Sequence, residues 1–223
     1  MLFELKKTFP DYYRYYGRRI AKRLSPSINN IFIKNFKNFS LDEEILKNLN
    51  SDQYQSLTLN SKFKKNIIEI GFGDGKHLFG LAQANKDTHF IGCEVFINGL
   101  GKALKKIVEN NLTNISLCGL NCLYLLENIK DSSIDKIFII NPDPWEKKRH
   151  FKRRLINKEF IALMYKKIKN GGKVIVTTDS SSYFLSILEI IKNEEIDFEE
   201  TVQKMLDKGD ELYDNSKYQK KGI

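Results

Sequence analysis

"NIIEIGFGDGKH", residues 66–77, decides the fold. Its first five residues are dominated by isoleucine, the composition of a short strand buried on both faces. Three glycines then fall at alternate positions, Gly71, Gly73 and Gly75. Without Cβ atoms the backbone can turn tightly there and let a ligand approach closely. Helical spacing follows over 76–86. A strand that passes through a glycine turn into a helix opens many nucleotide-binding α/β domains, but G-x-G-x-G by itself also fits a plain strand-to-helix turn.

Outward from this unit the pattern repeats. "HFIGCEV" (89–95), "NISLC" (114–118), "IDKIFII" (134–140) and "GKVIVTT" (172–178) read as further buried strands. Stretches at 97–110, 121–129, 153–169 and 181–193 carry helical spacing. Strand–helix alternation predicts a Rossmann-like, mostly parallel sheet with helices on both faces. In such sheets ligands bind outside the carboxyl ends of the strands. That points to 69–75, Glu94, Asn121, 141–145 and Asp179.

Glu94 ends the second strand about twenty residues past the loop, where a carboxylate meets the ribose hydroxyls of an adenosine cofactor. This geometry fits NAD as well as S-adenosylmethionine. Two features favour the latter. The spacing is not G-x-G-x-x-G, and Glu69 puts a carboxylate beside the loop, which repels a pyrophosphate and attracts a methionine ammonium. Gly71 and Gly73 are the candidate backbone contacts, and Asn121 can hydrogen-bond an adenine edge.

A second motif, "NPDPWEKKRHFKRR" (141–154), follows the fourth strand. Pro142 and Pro144 fix two φ angles and restrict their predecessors, so Asp143 is held rigidly. Trp145 can wall a pocket or stack on a base. A fixed carboxylate beside a sulfonium methyl donor suggests methyl transfer to a nitrogen. An imidazole-type nitrogen such as guanine N7 has a free lone pair and needs no general base. A carboxylate would stabilise the positive charge that develops, and in-line positioning would supply much of the rest. Asp143 is therefore the catalytic candidate. Lys147, Lys148, Arg149, Lys152, Arg153 and Arg154 lead into the following helical stretch. Cations at a helix start oppose its macrodipole, which favours a phosphate-contacting rim over a structural role. His150 is read as a phosphate or solvent contact. His77 and His89 lack ligand-like spacing and take no role.

The whole composition agrees with a polyanionic partner. The 223 residues carry a formal charge of +9 and a pI near 9.3, which favours nucleic acid. Cys93, Cys118 and Cys122 form no CxxC pair, so buried reduced thiols in a cytoplasmic protein are expected, with no metal. No apolar run reaches membrane-spanning length and the start has no signal-peptide core, so no membrane partner is expected. Residues 1–40 are basic, aromatic and weakly periodic, and read as a mobile arm ahead of a single domain over 41–223. Ser40 with Glu43 suggests a capping box for a helix at 41–49. The last thirty residues add possible edge strands, at 197–202 and near Tyr218.

"YGRRIAKRLSP" (16–26), "IIEIGFGDGKH", "FIGCEV", "NPDPWEKKRHFKRRL" and "GGKVIVTTD" together resemble the bacterial tRNA (guanine-N7)-methyltransferases over most of the chain. The PDPW stretch with its trailing KKRHxKRR is specific to that family; the glycine loop is not. The resemblance implies a class I S-adenosylmethionine-dependent methyltransferase fold, with a variable-loop guanine of tRNA as acceptor. It implies cofactor contacts from Glu69, Glu94, Asn121 and Asp143, with Asp143 also catalytic. It places Lys147 and Asp179 at the guanine, and Arg149, His150, Lys152, Arg153 and Arg154 on RNA. The family's Thr-x-[Phe/Tyr]-Glu substrate segment appears as Ser216, Lys217, Tyr218 and Gln219, and Gln219 carries no charge. A monomer and a homodimer both remain open. The rival readings are another nucleic-acid N-methyltransferase, one acting on an exocyclic amine through an Asn-Pro turn, and a non-catalytic RNA-binding protein on the same fold. A nicotinamide oxidoreductase is more distant.

Overall fold

The isoleucine-rich segment at 66–70 lies in the middle strand of a five-stranded sheet. The structure, a computed structural model, describes residues 16–20, 23–49, 56–57, 59 and 61–193. Strand β1 (Lys65–Ile70) has β2 (Thr88–Cys93) and then β3 (Ile115–Cys118) on one side. On the other it has β4 (Ile134–Ile140) and then β5 (Ile168–Thr177). Every pairing is parallel, with Ile68 opposite both Ile91 and Ile137. This is the Rossmann-like sheet expected from the sequence. The order 3-2-1-4-5 changes direction between β1 and β4, so a ligand crevice opens at the carboxyl ends there.

Side-chain alternation along the strands feeds two cores, which is why the strands read as continuous apolar runs. Ile68, Ile70, Ile91, Ile137 and Ile139 pack with Leu125, Phe160, Met164 and Tyr183, which come from α5 (Cys122–Asn128), α6 (Lys158–Lys167) and α7 (Ser181–Asn193). On the opposite face Phe90, Ile115 and Leu117 pack with Leu78, Leu100, Leu104 and Ile107, from α3 (Lys76–Ala84) and α4 (Ile97–Glu109).

Four expectations change. Residues 26–39, read as part of a mobile arm, form helix α1 (Pro26–Phe39). Ser25 caps it by accepting from the Ile28 N–H, and Pro26 stands in its first turn. Ile31, Phe32, Phe36 and Phe39 lie against the second core. A Cβ on Gly101 of α4 would stand 2.7 Å from Ile28, so that glycine lets the two helices meet. Helix α2 (Asp42–Leu49) starts without the predicted capping box: Ser40 Oγ accepts from the Asp42 N–H instead. The helix predicted over 153–169 divides. A short 3-10 helix, Lys148–Arg153, is followed by an extended link, and α6 begins only after Asn157, whose side chain accepts from the Phe160 N–H. Strand β5 starts earlier than predicted, at Ile168, through a register shift opposite Ile134 and Lys136. Residues 1–15 of the expected arm, the possible C-terminal edge strands and the Ser216–Gln219 segment lie outside the described residues.

Candidate active site

At the end of β1, Gly71, Gly73 and Gly75 have φ angles of 73°, 60° and 71°, a region costly for residues with a Cβ. Their surroundings differ. A Cβ on Gly75 would stand 2.8 Å from Ala103 of α4, whereas one on Gly71 or Gly73 would meet no atom within 4 Å. The first two glycines thus face open space and the third serves packing.

Glu94, just past β2, holds this loop. One carboxylate oxygen accepts from the Gly73 N–H and the other from the Phe96 N–H, each at 2.9 Å. Burial pushes its pKa up, and the backbone hydrogen bonds oppose that shift. A carboxylate oxygen has lone pairs for more than one donor, so these bonds leave capacity for hydroxyl groups. Sequence reasoning missed Gly99 in the first turn of α4. A Cβ there would stand 2.2 Å from the Gly73 carbonyl oxygen. Its one visible signal is a pair of glycines, Gly99 and Gly101, inside a helical pattern.

Glu69 is buried at 3 % exposure and accepts from His77 Nδ1 at 3.0 Å. His77, given no role from the sequence, is therefore its partner; its ring also packs edge-on against Phe138. Asn121 caps α5, its side-chain oxygen accepting from the Leu123 N–H at 3.0 Å. The segment before it is fixed by Asp42, which accepts from the Gly119 N–H at 2.9 Å. Burial raises the Asp42 pKa to about 6. Cys93, Cys118 and Cys122 are buried free thiols beside this segment, with Cys93 Sγ donating to the Leu120 carbonyl. No His, Cys, Asp or Glu group among the described residues is arranged to hold a metal ion.

Behind β4 the acidic turn is built without glycine. Asn141 and Trp145, which bracket Pro142–Asp143–Pro144, have φ angles of 46° and 44°. Such backbone persists only where the surroundings over-determine it. Asn141 N–H donates to the Thr177 carbonyl at 3.0 Å, and Thr177 Oγ1 donates to Asn141 Oδ1. Ser180 Oγ donates to Glu146 at 3.1 Å. Asp143 is exposed, and its charge acts on Glu94 across the end of β1. Asp179 is exposed at the end of β5, and Lys147 is exposed at the start of the 3-10 helix.

The basic run is not uniform. Lys147, Lys148, Arg149 and Lys152 are exposed. They sit ahead of Asn157 on a 3-10 helix, so the expected conflict with the α6 dipole does not arise. Arg153 lies over the rings of Trp145 and Tyr16, 5.0 and 5.3 Å from their centroids. His150 packs edge-on against Trp145 and accepts from Arg149 Nε. Desolvation and the cations Arg153, Arg149 and Lys147 lower its pKa. Arg154, expected on RNA, is 5 % exposed. Its Nε donates to the Pro144 carbonyl at 2.8 Å and its terminal nitrogens donate to Ser182. Its guanidinium therefore faces inward. A separate cleft, lined by Phe39, Leu57, Leu59, His89 and Ser116, opens toward the amino ends of β2 and β3, away from this crevice.

Residues 64–223 match a family model described as "Putative methyltransferase". The chain is 34% identical over 192 residues, 86% of its length, to the tRNA (guanine-N(7)-)-methyltransferase of Wolbachia pipientis wMel, covering 79% of that protein. It is 42% identical over 136 residues to the tRNA (guanine-N(7)-)-methyltransferase of Chromobacterium violaceum, 60% of each chain. It is also 36% identical over 179 residues, 80% of its length, to a bifunctional methyltransferase of Rickettsia prowazekii. The chain spans about a third, 32%, of that longer protein.

Proposed function

We propose, because the chain belongs to the tRNA (guanine-N7)-methyltransferase family, that it methylates N7 of a variable-loop guanine in tRNA, with S-adenosylmethionine as donor. One observation carries this reading. Asp143 is an exposed carboxylate on a turn between two prolines, just past the end of β4, the strand that pairs with the one leading into the open glycine loop.

The crevice suits the donor. Gly71 and Gly73 leave room for close backbone contact. Glu94 stands where ribose hydroxyls would donate, Glu69 supplies negative charge toward an ammonium, and Asn121 lies beside the adenine position. When bound, the donor supplies an electrophilic methyl group on a sulfonium centre. Guanine N7 would accept that methyl group through its free lone pair, with the thioether as leaving group, and the guanine ring would become cationic. No residue has to remove a proton first. Asp143 stabilises the developing charge, and Lys147 and Asp179 orient the base. Lys147, Lys148, Arg149 and Lys152 meet backbone phosphates. The Ser216–Gln219 segment is proposed to assist in holding the substrate. The reaction belongs where tRNA is, in the cytoplasm, and no described helix is long and apolar enough to cross a membrane.

The test is bulk tRNA lacking N7-methylguanine, incubated with the protein and labelled donor, then digested and analysed by mass spectrometry. Label in 7-methylguanosine supports the reading. Label on an exocyclic amine would mean a different nucleic-acid N-methyltransferase. No donor binding by calorimetry, with tRNA still bound, would mean a non-catalytic RNA-binding protein.

A further inference from the structure

The structure assigns Arg154 a positioning role: we propose that its guanidinium clamps the acidic turn to the start of α7 and so sets Asp143 relative to Asp179. This rests on the functional reading above for what the two carboxylates do, and goes beyond it in naming what holds them.

The guanidinium reaches both segments at once. Nε donates to the carbonyl of Pro144, the residue after Asp143, at 2.8 Å. Nη1 donates to the Ser182 carbonyl at 3.4 Å and Nη2 to the Ser182 hydroxyl at 3.1 Å. Ser182 is three residues past Asp179. The ring of Phe151 lies 3.8 Å from the guanidinium carbon and that of Tyr183 lies 4.7 Å from it. Tyr183 is itself fully buried, and its hydroxyl accepts from the Ile156 N–H, which braces the segment just after Arg154.

Among the described residues no acidic side chain forms an ion pair with Arg154. A buried cation without an acid is costly unless its hydrogen bonds are made. A planar fork that makes three hydrogen bonds while lying over two rings suits arginine and not lysine. The turn it grips holds two non-glycine residues at positive φ. The other ties of that turn, Asn141 to Thr177 and Glu146 to Ser180, run to the same β5–α7 segment. The turn and the segment carrying Asp179 therefore form one clamped unit, with Arg154 at its centre. A cation in a run of six Lys and Arg looks like one more phosphate contact, yet this one faces inward.

The test compares Arg154→Lys, Arg154→Ala and Ser182→Ala with Lys152→Ala as the phosphate-contact reference. Trp145 is the only tryptophan and sits on the turn, so acrylamide quenching of its fluorescence reads turn order without any activity. We expect Arg154→Lys and Arg154→Ala each to raise quenching at least twofold and to lower kcat at least tenfold at saturating tRNA. tRNA affinity and its salt slope should stay within twofold of wild type. Free guanidinium ion should restore part of the kcat of Arg154→Ala. Ser182→Ala should show the same changes more weakly, and it serves if the alanine variant at 154 fails to fold. Lys152→Ala should instead lower the salt slope by about 0.7–0.9 for one lost phosphate contact. Wild-type kcat and quenching in Arg154→Lys, or a salt slope in Arg154→Ala that falls as in Lys152→Ala, would overturn the proposal. A wild type that methylates no tRNA would defeat the functional reading instead, and the quenching series would still decide the clamp.

Discussion

The two sides of the crevice are held by opposite means. On the β1–β2 side the chain removes side chains. Gly71, Gly73 and Gly75 take left-handed backbone, and Gly99 lets α4 come against the loop. On the β4–β5 side it adds them. Asn141 and Trp145 take left-handed backbone despite their size, held by Thr177, Arg154, Glu146 and Ser180. The first side leaves open space, which the proposed function fills with a donor that brings its own reactive group. The second must hold a charge in a fixed place. Room needs absent atoms; placement needs many bonds.

Asp143→Asn removes the charge and keeps the turn. Its kcat should fall by about 10²–10³, as for loss of one preorganised electrostatic group, with donor-saturated turnover as the measurement. Near-normal turnover would reduce Asp143 to a turn residue. Asp42 is the exception on the cofactor side, a carboxylate buried to hold the Gly119 N–H. Its folded pKa of about 6 lies above the ordinary 3.8, so the folded state binds the extra proton. Its burial penalty is absent below about pH 4 and complete above about pH 6. Stability of the wild type should therefore fall, relative to Asp42→Asn, as pH rises through that window, by on the order of 2–3 kcal/mol. Parallel denaturation curves at pH 4 and pH 8 check this, and a pH-independent difference would contradict it.

Glu94→Ala should weaken donor binding by about 1.5–3 kcal/mol, the worth of hydrogen bonds to a charged group. tRNA binding should not change. Calorimetry decides, and unaltered donor affinity in the folded variant would remove Glu94 from the ribose position. Gly99→Ala adds a Cβ that would stand 2.2 Å from the Gly73 carbonyl. The strain, about 1–3 kcal/mol, should appear in thermal stability and in donor affinity, with the salt slope of tRNA binding unchanged. If Gly99→Ala leaves donor affinity intact, the loop does not need close approach of α4.

Most of the fold was legible because its determinants are local. Five β-branched strands, a glycine loop and a double-proline turn announce themselves within a few residues of sequence. The lysines and asparagines interleaved along α1 hid its apolar residues, and the helix is sustained by packing against α4 and the second core. Ser25 and Pro26 were the signal available there. The division of the helix predicted over 153–169 had a signal too, in the capping residue Asn157. The His77–Glu69 contact joins the two sides of the glycine loop, and no spacing rule marks it. The burial of Arg154 was not legible, because which cation of a basic run turns inward is decided by what folds against it, here Phe151, Ser182 and Tyr183.

Transfer to guanine N7 of tRNA is tested most directly with tRNA transcribed from 7-deazaguanosine triphosphate, in which a C–H replaces N7. The protein should bind this tRNA with the affinity and salt dependence of the ordinary transcript and transfer no methyl group to it, while the ordinary transcript yields 7-methylguanosine. Methyl transfer to the deaza transcript would contradict the account, because the acceptor atom would then lie elsewhere.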